Sequence, residues 1–459
     1  MNDPVGAFAS VRESVISYIQ TAFGTQFPGL EAERARLLRM PGAISQEPWL
    51  EPLPRYQSSG KTITELGQPD LPGFAPPEIA DFQSLASCGL MGQYALHRHQ
   101  LEMLSTALGG QSCVVTAGTG SGKTEAFLLP IFAYLARESA TWAAPGPLAP
   151  HANDWWWSDE WRDQCWPLVG NQRRARLSLR VPQRSHESRP AAVRALVVYP
   201  MNALVEDQLT RLRRALDSPL ARGWLAEHRN GNRIYIGRYN SVTPVPGHEY
   251  RAPSRTGHTS VDRERIERLV RSLQEADRAA QIARTHAAEA GREDVRYFFP
   301  TLDGAEMRSR WDMQDAPPDI LITNFSMLGI MLMRDADAQV FEQTRDWLQQ
   351  DGSVFHLVVD ELHLYRGTAG TEVAYLLRLL LNRLGLAPRG SAVAGPRLLG
   401  IARTRRPGQL AIPVGVLRPG LDSRPDRPRL PCACPGGTRG STRSGPVCQP
   451  GNRHRRGHC

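Results

Sequence analysis

The chain has 459 residues, of which 41% are hydrophobic and 22% are charged. This composition supports a sizeable core and two or three domains, and it excludes a chain that is disordered throughout. The sequence has no run of 18 uncharged apolar residues and no basic-then-apolar N-terminal segment, so we expect a cytoplasmic protein without a membrane span or signal peptide.

The positive charge of the chain is confined to its C-terminal end. The net charge is +9, and residues 401–459 alone contribute +10 through 12 Arg against two Asp, which leaves the first 400 residues at −1. Overall charge therefore gives no information about the partners of those 400 residues. Cys88, Cys113 and Cys165 are scattered singly, so we expect no disulfide framework there.

Residues 1–92 are predicted to form a helical extension and an irregular arm. Apolar residues recur at helical spacing in VGAFASVRESVISYIQTAF (5–23) and GLEAERARLLRM (29–40), which predicts two amphipathic helices. Pro and Gly dominate residues 41–78, which is typical of an irregular segment, and we expect this arm to wrap the next domain.

From residue 112 onward, short apolar runs alternate with helical patterns. These runs carry Val, Ile and Leu on both faces, which is typical of a doubly wound parallel sheet. We therefore predict an α/β domain over residues 93–402, with insertions at 141–192 and 245–315. The predicted strands are SCVVT (112–116), RALVVYP (194–200), RIYIG (233–237), DILITN (319–324), FHLVVD (355–360) and RLLGIA (397–402).

The first insertion carries a tryptophan cluster, DWWWSDEWRDQCW, followed by arginines at 173, 174 and 176. One interpretation is an element that stacks on bases or separates strands. The other is a small satellite core that anchors the insertion. We favour the satellite core, because the consecutive Trp155, Trp156 and Trp157 cannot all face one strand.

The stretch VVTAGTGSGKTEAF (114–127) reads as a strand, a Gly-rich turn and the start of a helix. Glycines let backbone N–H groups approach a polyphosphate, Lys123 can neutralise the β and γ oxygens, and the Thr124 hydroxyl can bind Mg²⁺. The predicted phosphate-binding residues are Ala117, Gly118, Thr119, Gly120, Ser121, Gly122, Lys123 and Thr124. A Gly-rich turn with a chance lysine is the structural alternative.

The stretch FHLVVDELHLYRG (355–367) predicts the second half of a nucleotide site. Its apolar strand delivers Asp360 to the carboxyl end, where a carboxylate can hold Mg²⁺. The adjacent Glu361 can then orient the attacking water as a general base.

These motifs resemble those of superfamily 2 DEAD/DEAH-box helicases of the DExH type, with DELH as motif II. DELHLYRGTAGTEVAYLLRLL is most similar to the large bacterial YprA and Lhr-like helicases. The resemblance extends from about residue 93 to about residue 385. It implies the first RecA-like domain of an enzyme that uses ATP and Mg²⁺. It implies that Gln100 in LHRHQLEML reads the adenine edge and that His363 couples ATP to nucleic acid.

Two further stretches resemble the strand-contacting motifs of these helicases. VVYPMNALVEDQLTRL places Pro200, Asn202 and Ala203 at a strand-to-helix junction, and DILITNFSML places Thr323 and Asn324 at a strand end. Such junctions offer backbone N–H groups and small polar side chains to phosphates. An ordinary helix cap at Asn202 is equally compatible. The resemblance favours DNA over RNA as the partner.

The C-terminal segment 403–459 breaks this pattern. RLLGIARTRRPG places a strand where the family has motif III, but Ala402-Arg403-Thr404 matches the Ser-Ala-Thr-like tripeptide poorly. The Arg-, Pro- and Gly-rich segment predicts disorder, and we interpret it as the product of a reading-frame shift near residue 402. A basic arm for nucleic acid and a zinc site at its four cysteines are the alternatives.

The sequence therefore predicts the ATP-binding half of a DNA helicase or translocase, incomplete as written. A non-catalytic nucleic-acid-binding protein is the second hypothesis. The third is a translocase subunit of a restriction or phage-defence system, in which a partner chain supplies the second RecA-like domain.

Overall fold

A central sheet of six parallel strands organises the chain in this computed structural model. The order across the sheet is β1-β6-β5-β2-β4-β3, with every neighbouring pair parallel. The strands are β1 (Cys113–Thr116), β2 (Ala195–Tyr199), β3 (Ile236–Tyr239), β4 (Ile320–Asn324), β5 (His356–Val359) and β6 (Arg397–Ala402). The residues that the structure describes are 3–46, 56–118, 120–200, 203–251, 260–386 and 397–402.

Thirteen α-helices accompany the sheet within the described residues. They are α1 (Pro4–Ala22), α2 (Pro28–Leu38), α3 (Pro76–Ser87), α4 (Arg98–Leu108), α5 (Lys123–Ser139), α6 (Asp159–Cys165), α7 (Ala203–Asp217), α8 (Pro219–His228), α9 (Arg263–Ala290), α10 (Arg310–Asp315), α11 (Phe325–Met333), α12 (Ala338–Trp347) and α13 (Gly367–Arg383). Short 3₁₀-helices lie at Ile63–Glu65, Glu293–Phe298, Asp335–Asp337 and Leu362–Leu364, and two-residue strands pair as hairpins at Leu168–Val169 with Gln172–Arg173 and at Tyr250–Arg251 with Ser260–Val261.

Helices cover both faces of the sheet, and the strand sequences show why. Along β2, Ala195, Val197 and Tyr199 join one hydrophobic core, which also holds buried residues of α3, α4, α5 and α7. The alternate Leu196 and Val198 join a second core with residues of α11, α12 and α13. A strand buried on both faces must be apolar at every position. The predicted doubly wound α/β fold is therefore confirmed.

The third strand begins later than the sequence predicts. RIYIG was expected to form a strand over residues 233–237, whereas β3 pairs with β4 from Ile236 to Tyr239. The Tyr235 N–H instead donates to the buried carboxylate of Asp319 at 2.7 Å. This side-chain acceptor takes the place of a strand carbonyl and delays the start of the ladder.

The two insertions pack together around a satellite core of their own. Trp155, Trp156 and Trp166 are at most 2% exposed there, beside Ile266 of α9 and Trp311 of α10. The Trp155 and Trp156 rings meet edge to face with centroids 5.7 Å apart, a favourable aromatic geometry. These positions agree with the anchoring interpretation of the cluster, since the three indoles face protein rather than solvent.

Buried ion pairs join this satellite core to the sheet. Arg189 and Arg194 both contact Asp319, at 2.8 and 2.9 Å, and Arg180 contacts Asp312 at 2.8 Å. Burial alone would raise the pKa of Asp319, but the arginines, Arg189 first, hold it well below its ordinary range. Removing one partner of such a pair leaves an uncompensated buried charge, so the network fixes the insertions firmly.

The N-terminal helices and the arm flank this domain. α1 and α2 pack on each other, with Ile16 and Ala35 buried. The arm residues Leu66, Leu71 and Phe74 are at most 4% exposed and belong to the core that α5 shares. Among the described helices, none is long and apolar enough to cross a membrane.

Candidate nucleotide and nucleic-acid site

The phosphate loop follows β1 and leads directly into α5. Gly120 and Gly122 adopt φ angles of 74° and 72°, in the left-handed region where a side chain is strained. A Cβ on Gly118 would lie 2.5 Å from the Tyr56 hydroxyl, and one on Gly122 would lie 2.4 Å from the Gln100 amide. Glycine at 118 and 122 lets Tyr56 and Gln100 pack directly on this cradle of backbone, and a cradle without side chains is what close backbone contact with phosphate requires.

Gln100 supports the loop in this structure. Its Oε1 accepts a 2.8 Å hydrogen bond from the His97 N–H at the start of α4, and its Nε2 donates a 2.9 Å bond to the Gly122 carbonyl. The side chain is 4% exposed. Each end of the amide keeps one further hydrogen-bonding position beside these bonds, and its reading of an adenine edge stays a prediction.

The remaining loop residues are positioned by the start of α5. Lys123 is its first residue, and the Ser121 hydroxyl donates to the Gly118 carbonyl at 3.0 Å, which closes the loop on itself. Ala117 is 9% exposed. Thr119 lies outside the described residues.

The second half of the site follows β5. Asp360 continues that strand, and its N–H donates to the Val198 carbonyl of β2 at 3.0 Å. Glu361 adopts a left-handed φ of 49°, and its N–H donates to Asp360 Oδ1 at 2.7 Å. A left-handed conformation costs a non-glycine residue about 1 kcal/mol, and such strain concentrates at functional sites. The turn at Glu361 aims one backbone donor at the neighbouring carboxylate.

Electrostatics at Asp360 are unfavourable for a bare carboxylate. Burial is the largest effect and, with the negative charge of Glu361, raises the pKa of Asp360 to about 6, although the Glu361 N–H and the charge of Lys123 oppose the increase. The influence of Lys123 shows that the two motifs share one site. A bound cation would remove this penalty.

Two further side chains lie beside Asp360 and Glu361, which together are called the acidic pair. His363 Nδ1 lies 3.1 Å from Glu361 Oε2. The Tyr365 hydroxyl is buried and has no hydrogen-bond partner within the described part of the chain. Burial, and then the charges of Asp360 and Glu361, hold the pKa of Tyr365 above its ordinary value.

The residues fit a Mg²⁺-bound nucleoside triphosphate. The Gly-rich loop can offer backbone N–H groups to phosphates, Thr124 and Asp360 supply oxygen ligands, and the raised pKa of Asp360 marks a carboxylate that a cation would stabilise. Mg²⁺ commonly takes one or two protein oxygens and completes its shell with phosphates and water. Among the described residues, no group of three His, Cys, Asp or Glu forms a metal site by itself.

The predicted strand-contact residues lie at the same edge of the sheet, after β2 and β4. Thr323 is fully buried between β2 and β3, and its hydroxyl donates to the Tyr239 carbonyl at 2.7 Å, so its contact with phosphate stays a prediction. Asn324 caps α11 by accepting the Met327 N–H at 2.7 Å. Pro200 is partly exposed.

The second predicted contact segment is described only in part. Ala203 is the first residue of α7, and the placement of its side chain is outside the described residues. Asn202 also lies outside them, as do residues 403–459 with their predicted disorder, frame shift and alternatives.

A family comparison supports the phosphate-loop half of this site. The DEAD/DEAH box helicase model matches residues 97–229, which contain the phosphate loop and α7. Residues 97–229 thus belong to a DEAD/DEAH box helicase domain. Druantia protein DruE of Escherichia coli (strain UMEA 4076-1) is 29% identical to the chain over 405 residues, which is 82% of this chain and 19% of that protein. The chain thus spans about one fifth of the length of this relative.

Two solved helicase structures are also similar to the chain. A crystal structure of DUF1998 helicase MrfA bound to DNA shares 19% identity with a TM-score of 0.34, over 71% of this chain and 24% of that one. Mycobacterium smegmatis helicase Lhr bound to ssDNA and AMP-PNP shares 18% identity with a TM-score of 0.34, over 74% and 26%. TM-scores of this size support no argument about fold or function.

Three residues of the helicase domain site were not found from the sequence. Tyr56 packs against His97 and His99 beside the phosphate loop, with ring centroids 5.7 and 5.9 Å away. Tyr365 lies beside the acidic pair, and Gln208 contacts Thr124. The arm that carries Tyr56 has no periodicity that could have pointed to it.

Gln208, by contrast, left a signal in the sequence. It falls on the same face of α7 as Val205, Leu209 and Leu212, which are at most 1% exposed. A polar residue within an apolar stripe at helical spacing needs a buried partner. That partner is Thr124.

Proposed function

We propose that this helicase domain binds Mg²⁺ and ATP and belongs to an ATP-dependent nucleic-acid helicase or translocase that acts on DNA. The arrangement of two motifs at one sheet edge carries the proposal. The phosphate loop follows β1, and the acidic pair follows β5, two positions away in the same parallel sheet. The carboxyl edge of such a sheet is the usual ligand site.

Each polar residue has a role in this proposal. Lys123 neutralises β- and γ-phosphate oxygens, while Thr124 and Asp360 hold the Mg²⁺. Glu361 orients the attacking water and accepts its proton, and His363, 3.1 Å from Glu361, links that carboxylate to the strand site. When bound, the metal ion shields the charge on the phosphates.

Nucleic acid is proposed to cross the same edge at the ends of β2 and β4. Pro200, Asn202 and Ala203 lie at the first of these ends, and Thr323 and Asn324 lie at the second. These strands are neighbours in the sheet. Backbone N–H groups at adjacent strand ends can follow a phosphate backbone without reading its sequence.

The domain limits are also part of the proposal. We assign the ATP-binding domain to residues 93–402, with insertions at 141–192 and 245–315, after an extension formed by residues 1–92. A second RecA-like domain, from a longer chain or a partner chain, would supply the arginine that stabilises charge on the γ-phosphoryl group.

Strand-stimulated ATP hydrolysis tests this function. Assayed without a second RecA-like domain, the wild-type chain is expected to hydrolyse ATP slowly, but faster with a single-stranded DNA oligonucleotide than without it. Glu361→Gln should abolish the stimulated rate while nucleotide still binds. A chain that binds DNA but hydrolyses no ATP, with or without the strand, would instead support the non-catalytic nucleic-acid-binding hypothesis.

A second candidate is a translocase subunit of a restriction or phage-defence system. It rests on the similarity to Druantia protein DruE, of which this chain covers 19%. Copurification with a partner chain that raises the ATPase rate would support it. An ATPase rate that no copurifying chain changes would count against it.

A further inference from the structure

A buried glutamine connects α7 to the phosphate loop. Gln208 is 8% exposed, and its Nε2 donates a 3.0 Å hydrogen bond to Thr124 Oγ1. Its Oε1 is buried with no hydrogen-bond partner among the described residues. Leaving a buried acceptor unsatisfied is costly. The amide therefore has one unused acceptor and contacts Thr124, the proposed Mg²⁺ ligand, through its other end.

The chemistry of the hydroxyl explains that capacity. A threonine hydroxyl has one proton and two lone pairs. If Thr124 held Mg²⁺ through one lone pair, its polarised O–H would be a stronger donor and would need an acceptor. Rotation of the Gln208 amide by half a turn exchanges its oxygen and nitrogen, which puts Oε1 where Nε2 now contacts Oγ1.

A second polar contact joins the same two helices. Arg211, one turn further along α7, forms an ion pair with Glu125, the residue after Thr124. The Arg211 guanidinium also contacts Asp207 at 3.1 Å within α7. Gln208 and Arg211 therefore connect α7 to the first turn of α5 by polar contacts, so a displacement of α7 would also displace that turn.

We propose that Gln208 is a positioning residue, which holds the Thr124 hydroxyl in the orientation that binds Mg²⁺. Because α7 begins at Ala203, within the proposed strand-contact segment, the same contact links strand binding to metal binding. A strand seated at the start of α7 fixes the helix, and Gln208 then fixes the metal ligand. This inference rests on the proposed function and names a further residue of that site.

The test measures nucleotide affinity with the full chain. A fluorescent non-hydrolysable ATP analogue is titrated in Mg²⁺ and in EDTA, with and without a single-stranded DNA oligonucleotide. Gln208→Ala should weaken affinity in Mg²⁺ by about threefold to tenfold, the value of one hydrogen bond, and leave affinity in EDTA unchanged. It should also remove the strand-induced tightening that the wild type shows.

Two further variants separate positioning from packing. Gln208→Met keeps the length of the side chain but has no amide, so it should lose affinity in Mg²⁺ as Gln208→Ala does, whereas a packing role would leave it near wild type. Thr210→Ala is the matched control, because the Thr210 hydroxyl bonds only the Glu206 carbonyl of its own helix at 2.9 Å. It should behave as wild type in every titration.

The outcomes separate this inference from the proposed function. A Gln208→Ala chain with wild-type affinity in Mg²⁺, or with equal losses in Mg²⁺ and EDTA, overturns the positioning role while the helicase assignment stands. A wild type that binds nucleotide and DNA without any linkage between them overturns the coupling. A wild type that binds no nucleotide overturns both proposals.

Discussion

Asp360→Asn should stabilise the chain, and by an amount that depends on pH. The pKa of Asp360 in the fold is about 6, against an ordinary value of 3.8. Because the folded pKa is the higher one, the folded state retains a proton that the unfolded state releases, and stability falls as pH rises through this window. The difference is worth about 3 kcal/mol at pH 8 and about 1 kcal/mol at pH 4.5.

Urea denaturation followed by tryptophan fluorescence, in EDTA, measures this effect. Asn carries no titratable group, so Asp360→Asn should raise the free energy of unfolding by about 3 kcal/mol at pH 8 and by about 1 kcal/mol at pH 4.5. The control Asp351→Asn, at an exposed aspartate before the same strand, should change it by less than about 0.5 kcal/mol. Equal stabilisation of Asp360→Asn at both pH values would refute the reasoning.

Three further results are expected. Analogue affinity in Mg²⁺ should fall about fivefold between pH 6 and pH 5, because the metal must displace a proton from Asp360, whose pKa is about 6. A flat profile would contradict that ligand. Gly122→Ala should weaken analogue binding at least about tenfold, because residue 122 has a φ of 72° and the new Cβ would lie 2.4 Å from the Gln100 amide. Unchanged affinity would contradict the role of this glycine in phosphate binding. Arg189→Met should lower the free energy of unfolding in urea by about 3 kcal/mol, because Asp319 loses one of the arginines that balance its buried charge. A decrease below about 1 kcal/mol would argue against the buried network.

The sheet could be predicted because its strands carry a strong and simple signal. The strand ALVVY is buried at all five positions, so it is apolar on both faces and its continuous apolar run predicts a strand. The start of β3 could not be predicted, because it depends on Asp319, 84 residues away from Tyr235 in sequence. Long-range side-chain acceptors leave no local pattern.

The two halves of the site could be predicted from local spacing. Backbone contact with phosphate requires glycines at set intervals before Lys123, and an apolar strand must precede Asp360. Their supporting contacts could not be predicted, because Tyr56 and Tyr365 reach the site through tertiary packing. The Gln100 side chain bonds the His97 N–H and the Gly122 carbonyl, and the second of these bonds depends on the loop conformation at Gly122.

The tryptophan cluster shows where residue chemistry alone leaves alternatives open. Aromatic side chains with neighbouring arginines fit both strand contact and a packed core. The decisive fact is that Trp155 and Trp156 pack against α9, which is supplied by the other insertion more than 100 residues later. A sequence without a repeat or a disulfide gives no indication that two insertions share one core.

Nucleotide affinity of Lys123→Ala tests the central claim most directly. The fluorescent analogue is titrated in Mg²⁺ against wild type and against Lys61→Ala, which removes the only other lysine of the sequence, one paired with Asp70 at 2.8 Å. The account predicts that Lys123→Ala weakens binding at least about tenfold, since a charged hydrogen bond to phosphate is lost, and that Lys61→Ala binds as wild type. Equal affinity of wild type and Lys123→Ala would contradict the proposed ATP site.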